Sequence, residues 1–466
     1  MTHRPKAVEL ELSTRWEPAQ VGHRPSNPGW AKTFGHPGST SNQRVILHVP
    51  VEAERGVRPD LLTNARVVDV RTGIVRSGAT VVLRDGLIVD ILDGSAVPAG
   101  AAVIDLGGRF LLPGIVTVHV HLSILFPFAD TDENEDPALT AFRAADRATA
   151  ALRAGATTIR CIHEQHQIDL RLRTAAARGW FTAPRILAGG RALSVPGGHG
   201  QGTGSVYCSG PEEFYVAAMA ELAAGADHVK IFITGGLAHA GEQPDAPEMA
   251  AEEMAAVVRA ADRHHSYVVA HAGHHSAIRT AIDAGVTSFE HAYQVDDATA
   301  VLLAQPGIFV SPTLIVTHSQ ATMRAKGFAD HSMANARRAA PEHLTSIRRL
   351  VAAGVTLTHG TDYPPGDIAE GSSAIVTEAR LLQQAGLTPL QVLQAATING
   401  ARMCGIDHLT GAVAPGLAAD LLVIDDDPTQ DVAVLDSLRM VIAGGVVIRN
   451  DLGLPSGPRG GPPNDV

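Results

Sequence analysis

Two histidines stand two residues apart in "GIVTVHVHL", at His119 and His121. In an extended strand, residues i and i+2 share a face. Both imidazoles can then point the same way, as two ligands of one metal ion must. Four more apolar runs each carry a polar residue able to join them. Lys230 sits within "DHVKIFITGG", His271 in "VVAHAGHH", His291 in "SFEHA" and Asp362 in "LTHGTDYPP". A lysine inside an apolar strand is costly unless it is paired or chemically modified. Each residue also has a bland reading. Lys230 could bridge interior carboxylates, the histidines could be satisfied in the core, and Asp362 could cap a helix. Together, each at the end of a separate run, they read as a metal site. A His/Asp/Lys set favours Zn²⁺, Co²⁺ or Mn²⁺ over Ca²⁺.

That chemistry needs the five runs to converge. Residues 113–400 show eight short apolar runs separated by Ala-rich stretches with helical spacing, such as "PALTAFRAADRATAALRAG". Eight such units predict a TIM-type (β/α)8 barrel, whose function sits at the C-terminal ends of its strands. A doubly wound open sheet is the alternative, but no G-x-G-x-x-G follows the first strand. Residues 57–112 and 401–450 differ from the centre. Their β-branched runs are broken by Thr72-Gly73, Asp85-Gly86 and Gly107-Gly108. They are expected to pair as one discontinuous β-sandwich module into which the barrel is inserted. Residues 1–56 form a Pro-rich irregular extension and 451–466 a flexible tail in this reading.

Other residues near the strand ends are secondary candidates. His199, in the Gly-rich "PGGHGQGTG", could meet a polarised oxygen or a substrate carboxylate. His163 follows the second run and His274 lies just past the fifth, and both could touch substrate. His359 is placed to support Asp362, and His264-His265 to cap a helix end. Arg160 and Arg191 follow the second and third runs and could meet an anionic substrate group, but read rather as structural ion-pair partners. Leu125, Phe126, Pro127 and Phe128 offer either loop packing or an apolar rim.

Composition narrows the classes. The chain has 466 residues, 45% hydrophobic, with a formal net charge of −11. No basic stripe suits it to nucleic acid, and no apolar run approaches the roughly 18 residues of a membrane span. Cys161, Cys208 and Cys404 lie far apart and predict no disulfide framework. The N-terminus shows no signal-like apolar segment. A cytoplasmic location is expected. The 22 histidines fit a metal enzyme or a drift of surface residues.

The chain resembles the amidohydrolase superfamily from about residue 60 to 450, through "LLPGIVTVHVHL", "VKIFITGG", "HGTD" and the split β module. It is most similar to the imidazolonepropionase-like branch, which includes Xaa-Pro dipeptidases, ochratoxin-type amidases and hydrolases of phenylureas and thiocarbamates. The resemblance implies two divalent metal ions, zinc foremost. His119, His121 and Asp362 would hold one, and His271 and His291 the other. Lys230, carboxylated by carbon dioxide, would bridge them. Asp362 and His199 would be the catalytic side chains, with Asp362 acting as base and then acid on a metal-activated hydroxide. One departure matters. Dipeptidase members carry His-Ala-Tyr at the fifth strand, where the tyrosine helps hold a substrate carboxylate, and this chain has His271-Ala272-Gly273. The expected function is therefore hydrolysis of a C–N bond in a small-molecule amide, urea or carbamate. The alternative on the same site is an Xaa-Pro dipeptidase or N-acyl amino acid hydrolase. A non-catalytic binding barrel would not need all six ligands. Resemblance also implies a homo-oligomer.

Overall fold

The computed structural model describes residues 57–94, 97–238 and 242–453. The Pro-rich extension and the tail beyond Gly453 lie outside the described residues. The first strands are β1 (Leu61–Val68), β2 (Val75–Arg84), β3 (Leu87–Asp93), β4 (Val103–Asp105) and β5 (Phe110–Pro113). Then come β6 (Ile115–Val120), α1 (Pro137–Arg153), β7 (Ala156–Cys161), α2 (Ile168–Ala177), β8 (Arg185–Ala188), β9 (Leu193–Ser194), β10 (Val206–Tyr207) and α3 (Gly210–Ala223). The centre continues with β11 (Val229–Phe232), α4 (Ala251–Arg263), β12 (Val268–His274), α5 (His275–Ala284), β13 (Ser288–Gln294), α6 (Asp297–Leu303) and β14 (Phe309–Ser311). Three helices follow, α7 (Ile315–His318), α8 (Gln320–Ala325) and α9 (Asp330–Ala353), and then β15 (Thr356–Leu357). A small hairpin, β16 (Ile368–Ala369) and β17 (Ser372–Ser373), precedes α10 (Ala374–Gln384), α11 (Pro389–Ala395) and α12 (Ile398–Met403). The chain returns to β structure in β18 (Leu421–Ile424), β19 (Leu438–Ala443) and β20 (Val446–Asn450).

The two β-rich pieces share one eight-stranded mixed sheet, ordered β20-β19-β18-β5-β1-β2-β3 with β4 beside β1. The sequence predicts a β-sandwich module, and one mixed sheet that curls over its own core is consistent with it. Leu62, Val81, Ile88, Leu111, Val423 and Met440 fill that core. The curl brings its end hairpins together. Asp85 and Gly86 turn β2 into β3 with positive φ at both positions, the geometry of a two-residue hairpin. A Cβ on Gly86 would stand 2.9 Å from the carbonyl oxygen of Gly444 in the β19–β20 turn. Glycine at this tip is what lets the two edges meet.

The central strands are parallel throughout, in a three-stranded sheet, β6-β7-β8, and a seven-stranded one, β10-β9-β11-β12-β13-β14-β15. Their ladders do not close into the single ring expected of a barrel. At one seam, the chain after β15 donates to β6 by isolated bonds: Thr361 N–H and Asp362 N–H both reach the His119 carbonyl at 2.9 Å. Val118 N–H returns one to His359 O at 2.8 Å. At the other seam, Asp227 N–H reaches Ala188 O at 2.7 Å. β15 is only two residues long because the chain beyond it turns to present Asp362.

Alanine spacing explains the helical layer. On α1, Ala144, Ala148 and Ala151 are buried at i, i+4 and i+7, a narrow stripe that lets the helix lie close to β7. Asp136 caps that helix through Ala138 N–H at 2.8 Å, with Pro137 at its first position. No helix among the described residues is long and apolar enough to cross a membrane.

The β15–β6 seam generates a stability prediction. A Cβ on Gly360 would lie 2.4 Å from Ser311 Oγ and 2.6 Å from His119 Cβ. Gly360→Ala is expected to cost about 1–3 kcal/mol, as overpacking does in well-filled cores. Urea denaturation reads this directly, and an unchanged midpoint would contradict the tight approach of this loop to β6.

Candidate metal and active site

His119 and His121 end β6, and both are buried. His119 Nδ1 lies 2.6 Å from Glu290 Oε2, and His121 Nδ1 lies 2.9 Å from the His163 carbonyl. An ionised carboxylate and a carbonyl can only accept, so both Nδ1 atoms carry the proton. In the neutral rings Nε2 then bears a lone pair. Both Nε2 atoms face Asp362 Oδ1, at 2.9 and 3.2 Å. Three acceptors pointing at one another need a cation between them. These three residues can each offer one ligand atom within 4.8 Å of the others, so the donor set fits a divalent ion. In the chain alone a proton takes that role. Burial pulls the His121 pKa down, but the Asp362 carboxylate, by hydrogen bond and charge, leaves it raised. Burial pushes Asp362 up, but the charge of His119 and bonds from His119 and His121 hold it well below the usual carboxylate range.

Behind His119 stands a buried ion pair, of which the sequence indicated Arg160 but not its partner Glu290. Glu290 Oε1 takes a hydrogen bond from Arg160 Nη2 at 2.7 Å, and neither side chain has any exposure. Burial raises the Glu290 pKa, but Arg160 and His119 outweigh it and bring it to about 2. Arg160 Nε also binds the Val118 carbonyl at 2.6 Å, tying β7 to β6. The one available signal was the acidic neighbour in "SFEHA".

Lys230, His271 and His291 complete the floor. The rings of His271 and His291 are 4.5 Å apart, and His291 is 5.1 Å from His119. His271 Nε2 donates to Gly235 O at 3.2 Å, which leaves Nδ1 as its lone-pair nitrogen. His291 Nδ1 meets Thr313 Oγ1 at 2.7 Å. Burial holds both of these histidines neutral, far below their ordinary pKa. Lys230 is 1% exposed. No hydrogen bond or ion pair among the described residues reaches its amine, which sits 5.5 Å from the Phe232 ring centroid. Burial lowers its pKa to about 8, against the pull of Glu290 and Asp362.

The remaining candidates separate. His163 lines the cavity, but both nitrogens are engaged: Nδ1 accepts from Ala192 N–H at 2.9 Å, and Nε2 donates to the carbonyl or hydroxyl of Thr203. It braces the Gly-rich loop. His199 also lines the cavity, with Nδ1 2.8 Å from Glu242 Oε1 and its ring 4.2 Å from that of His271. His274 is placed elsewhere. Its Nδ1 contacts Ser276 Oγ at 2.8 Å at the start of α5, and it lines a separate surface hollow with His275 and Asp296. His274 is the last residue of β12 and the N-cap of α5, and its side chain turns to accept from Ser276 N–H, which removes it from the floor. His359 lies under the site, between Thr117 Oγ1 and the Ile375 carbonyl. Arg191 pairs with Glu221 at 2.7 Å.

Above the floor is a partly enclosed cavity. Its upper wall is apolar, with Phe126, Phe128, Phe232, Leu237, Met323 and Phe328. Lys230 is the lone lysine among its described lining residues, and no arginine lines it. Tyr293, also missed from sequence, stacks on His291 at 5.1 Å and is buried. The "His-Ala-Tyr" pattern thus occurs on β13, not on β12 where it was sought.

The amidohydrolase family model matches residues 110–448. Ochratoxinase from Aspergillus niger is 27% identical over 364 residues, covering 71% of this chain and 73% of that protein. Imidazolonepropionase from Nocardia farcinica is 27% identical over 403 residues, covering 81% and 92%. Among solved structures, a prolidase complexed with N-methylphosphonate-L-proline is similar with a TM-score of 0.76 and 27% identity, over 84% of this chain and 99% of that one.

The Arg160–Glu290 pair should dominate the stability of the floor. Glu290→Gln leaves a buried guanidinium without its counter-charge, a loss of about 3–5 kcal/mol for buried pairs. Replacing both, as Arg160→Met with Glu290→Gln, should recover much of it. The sign with pH follows from the depressed carboxyl. Its folded pKa, about 2, lies below the ordinary 4.5, so its contribution is present above pH 4.5 and fades as pH falls towards 2. Denaturation at stepped pH should show wild type and Glu290→Gln converging in acid. A constant gap would contradict the ionised state of Glu290.

Proposed function

The chain belongs to the amidohydrolase family, and we propose that it hydrolyses a C–N bond of a small, largely apolar amide, urea or carbamate. The observation that carries this reading is the meeting of three lone-pair atoms, from His119, His121 and Asp362, at the floor of an apolar cavity. In this reading His119, His121 and Asp362 would hold one divalent ion, and His271 and His291 a second, with a carboxylated Lys230 adding an anionic oxygen donor. The unpaired, buried amine of Lys230 supports that role, because a carbamate would replace a misfit cation with an anionic oxygen donor. Divalent ions held there would acidify water towards neutrality and polarise a carbonyl oxygen.

The protein groups do the rest. Asp362 accepts the proton of the attacking water and hands it to the departing nitrogen. His199, oriented by Glu242, supplies a polar contact at the carbonyl end. The phenylalanine wall excludes water and takes an aromatic or branched alkyl group. The β/α centre that positions these groups is read as a (β/α)8 barrel inserted into the curled β module.

A second reading, an Xaa-Pro dipeptidase or N-acyl amino acid hydrolase, is favoured by the likeness to the prolidase. One observation weighs against it: among the described residues no arginine lines the cavity to meet a substrate carboxylate. The tyrosine sought on β12 is not decisive, because Tyr293 of the β13 His-Ala-Tyr lines the cavity instead.

A panel of anilides, phenylureas, carbamates and Xaa-Pro dipeptides separates the readings. Turnover is expected with the neutral aryl substrates, abolished by a chelator and restored by zinc, cobalt or manganese. Preference for dipeptides would move the assignment to the second reading, and full activity without metal would end both.

Asp362 should carry two roles. Asp362→Asn keeps an oxygen donor but cannot carry the proton. Turnover is expected to fall at least about 10²-fold, the lower range for general acid–base assistance. Metal content should fall less. Near-normal turnover with normal metal content would pass the proton role to His199.

A further inference from the structure

β13 contains two consecutive residues with left-handed backbone, His291 at φ 68° and Ala292 at φ 56°. Neither is glycine, and such positions cost about 1–3 kcal/mol each unless their surroundings hold them. The turn has a consequence for the site. In a regular strand Glu290 and His291 would face opposite sides. Here the Glu290 carboxylate reaches His119 at 2.6 Å while the His291 ring also stands 5.1 Å from it.

The sheet holds this turn on one side only, where β12 pairs with His291 and, across a register shift, with Gln294. The β13–β14 ladder ends at Glu290↔Ser311, and the β12–β13 ladder shifts register after Ala272↔His291. Helix α9 takes over. His343 Nε2 donates to the His291 carbonyl at 3.0 Å, and Ser346 Oγ donates to the Ala292 carbonyl at 2.6 Å. Ser346 Oγ in turn accepts from Val295 N–H at 3.0 Å. The two residues are at i and i+3, on one face of the helix, and both are fully buried. The His291 carbonyl can only accept, so Nε2 of His343 carries a proton, and Nδ1 of the same ring meets Thr317 Oγ1 at 2.8 Å. Two strained carbonyls, each met by its own buried donor from one helix, form a clamp.

We propose that His343 and Ser346 are positioning residues that hold the left-handed His291–Ala292 turn and so aim His291 at the metal site. The inference rests on the reading of His291 as a ligand. Outer partners of metal ligands typically change affinity or activity 10- to 100-fold when removed. The first ion, held by His119, His121 and Asp362, should be spared.

The test uses full-length holoenzyme loaded with cobalt. Ser346→Ala, His343→Leu, the conservative Ser346→Thr and His343→Gln, and His291→Ala are compared by denaturation, cobalt titration and visible absorption. Ser346→Ala and His343→Leu should bind the second cobalt about 10- to 100-fold more weakly, with an altered spectrum, and retain the first. His343→Gln and Ser346→Thr, which keep a donor, should recover most of the loss. The proposal is overturned if folded Ser346→Ala binds both ions within a factor of two of wild type with an unchanged spectrum. It is equally overturned if His343→Gln is as impaired as His343→Leu. Ser346→Ala removes one hydroxyl and places alanine in a helix, so it decides the matter even if His343→Leu does not fold. The two failures are distinguishable. If His291→Ala keeps both ions, the ligand reading falls, and the clamp's purpose with it. If His291→Ala loses the second ion while the clamp variants do not, only the clamp falls.

Discussion

Asp362 Oδ1 faces two imidazole nitrogens, His119 Nε2 at 2.9 Å and His121 Nε2 at 3.2 Å, and the opposite nitrogen of each ring is already committed as a donor. A carboxylate and two lone pairs repel unless a positive charge sits among them. Water relieves this only in part, because both histidines are buried and Asp362 is only partly exposed. The floor is built around that unbalanced point. Glu290 fixes the tautomer of His119, and Arg160 fixes Glu290. Removing any one of these leaves a buried group unsatisfied, at a cost larger than that of an ordinary surface contact.

The same constraint appears in the backbone. Asp362, His291, Ala292 and Thr313 all adopt positive φ, and none is glycine. Left-handed backbone at a β-branched threonine is a strong outlier. Such conformations persist where the surroundings over-determine them. The surroundings here are buried polar side chains bonded to loop amides and carbonyls. Glu164 accepts from Leu122 N–H and Ser123 N–H, both at 2.6 Å. Glu378 accepts from Leu314 N–H at 3.0 Å and Ile315 N–H at 2.8 Å, just past Thr313. His343 and Ser346 do the corresponding work on carbonyls. The strand-end loops are held by side chains from other elements, so the site's geometry does not rest on the ladders alone. That agrees with parallel sheets whose ladders stop short of a continuous ring.

The cavity joins this polar floor to an apolar wall. Phe126 and Tyr363 pack edge to face at 4.9 Å, with the Lys326 amine near both rings. Lys326 pairs with Asp367, so its charge is balanced beside the aromatic wall. The division between a charged floor and an uncharged wall suits a substrate with one polar reacting bond and an apolar remainder.

Much of this was legible in the amino-acid order because it depends on local periodicity. The two-residue spacing of His119 and His121 places both on one strand face, and alternating apolar runs and alanine stripes give the parallel sheet with its helical cover. The Asp85-Gly86 pair marks a hairpin because its backbone demands are local. The rest came from contacts between distant segments. Glu290 meets His119 across 171 residues, and Arg160 across 130. Nothing in "SFEHA" reveals that its acid faces inward, because strand alternation would send it outward. Only a left-handed turn held by another helix brings Glu290 and His291 to the same ring. His274 differs from His271 by three positions, yet the start of α5 carries it out of the site. The sequence by itself named candidate ligands and the elements that carry them, and of these His119, His121 and Asp362 meet as a possible metal group. The tertiary structure alone decided which of them meet, because tautomers, buried counter-charges and strained backbone are set by partners far along the chain.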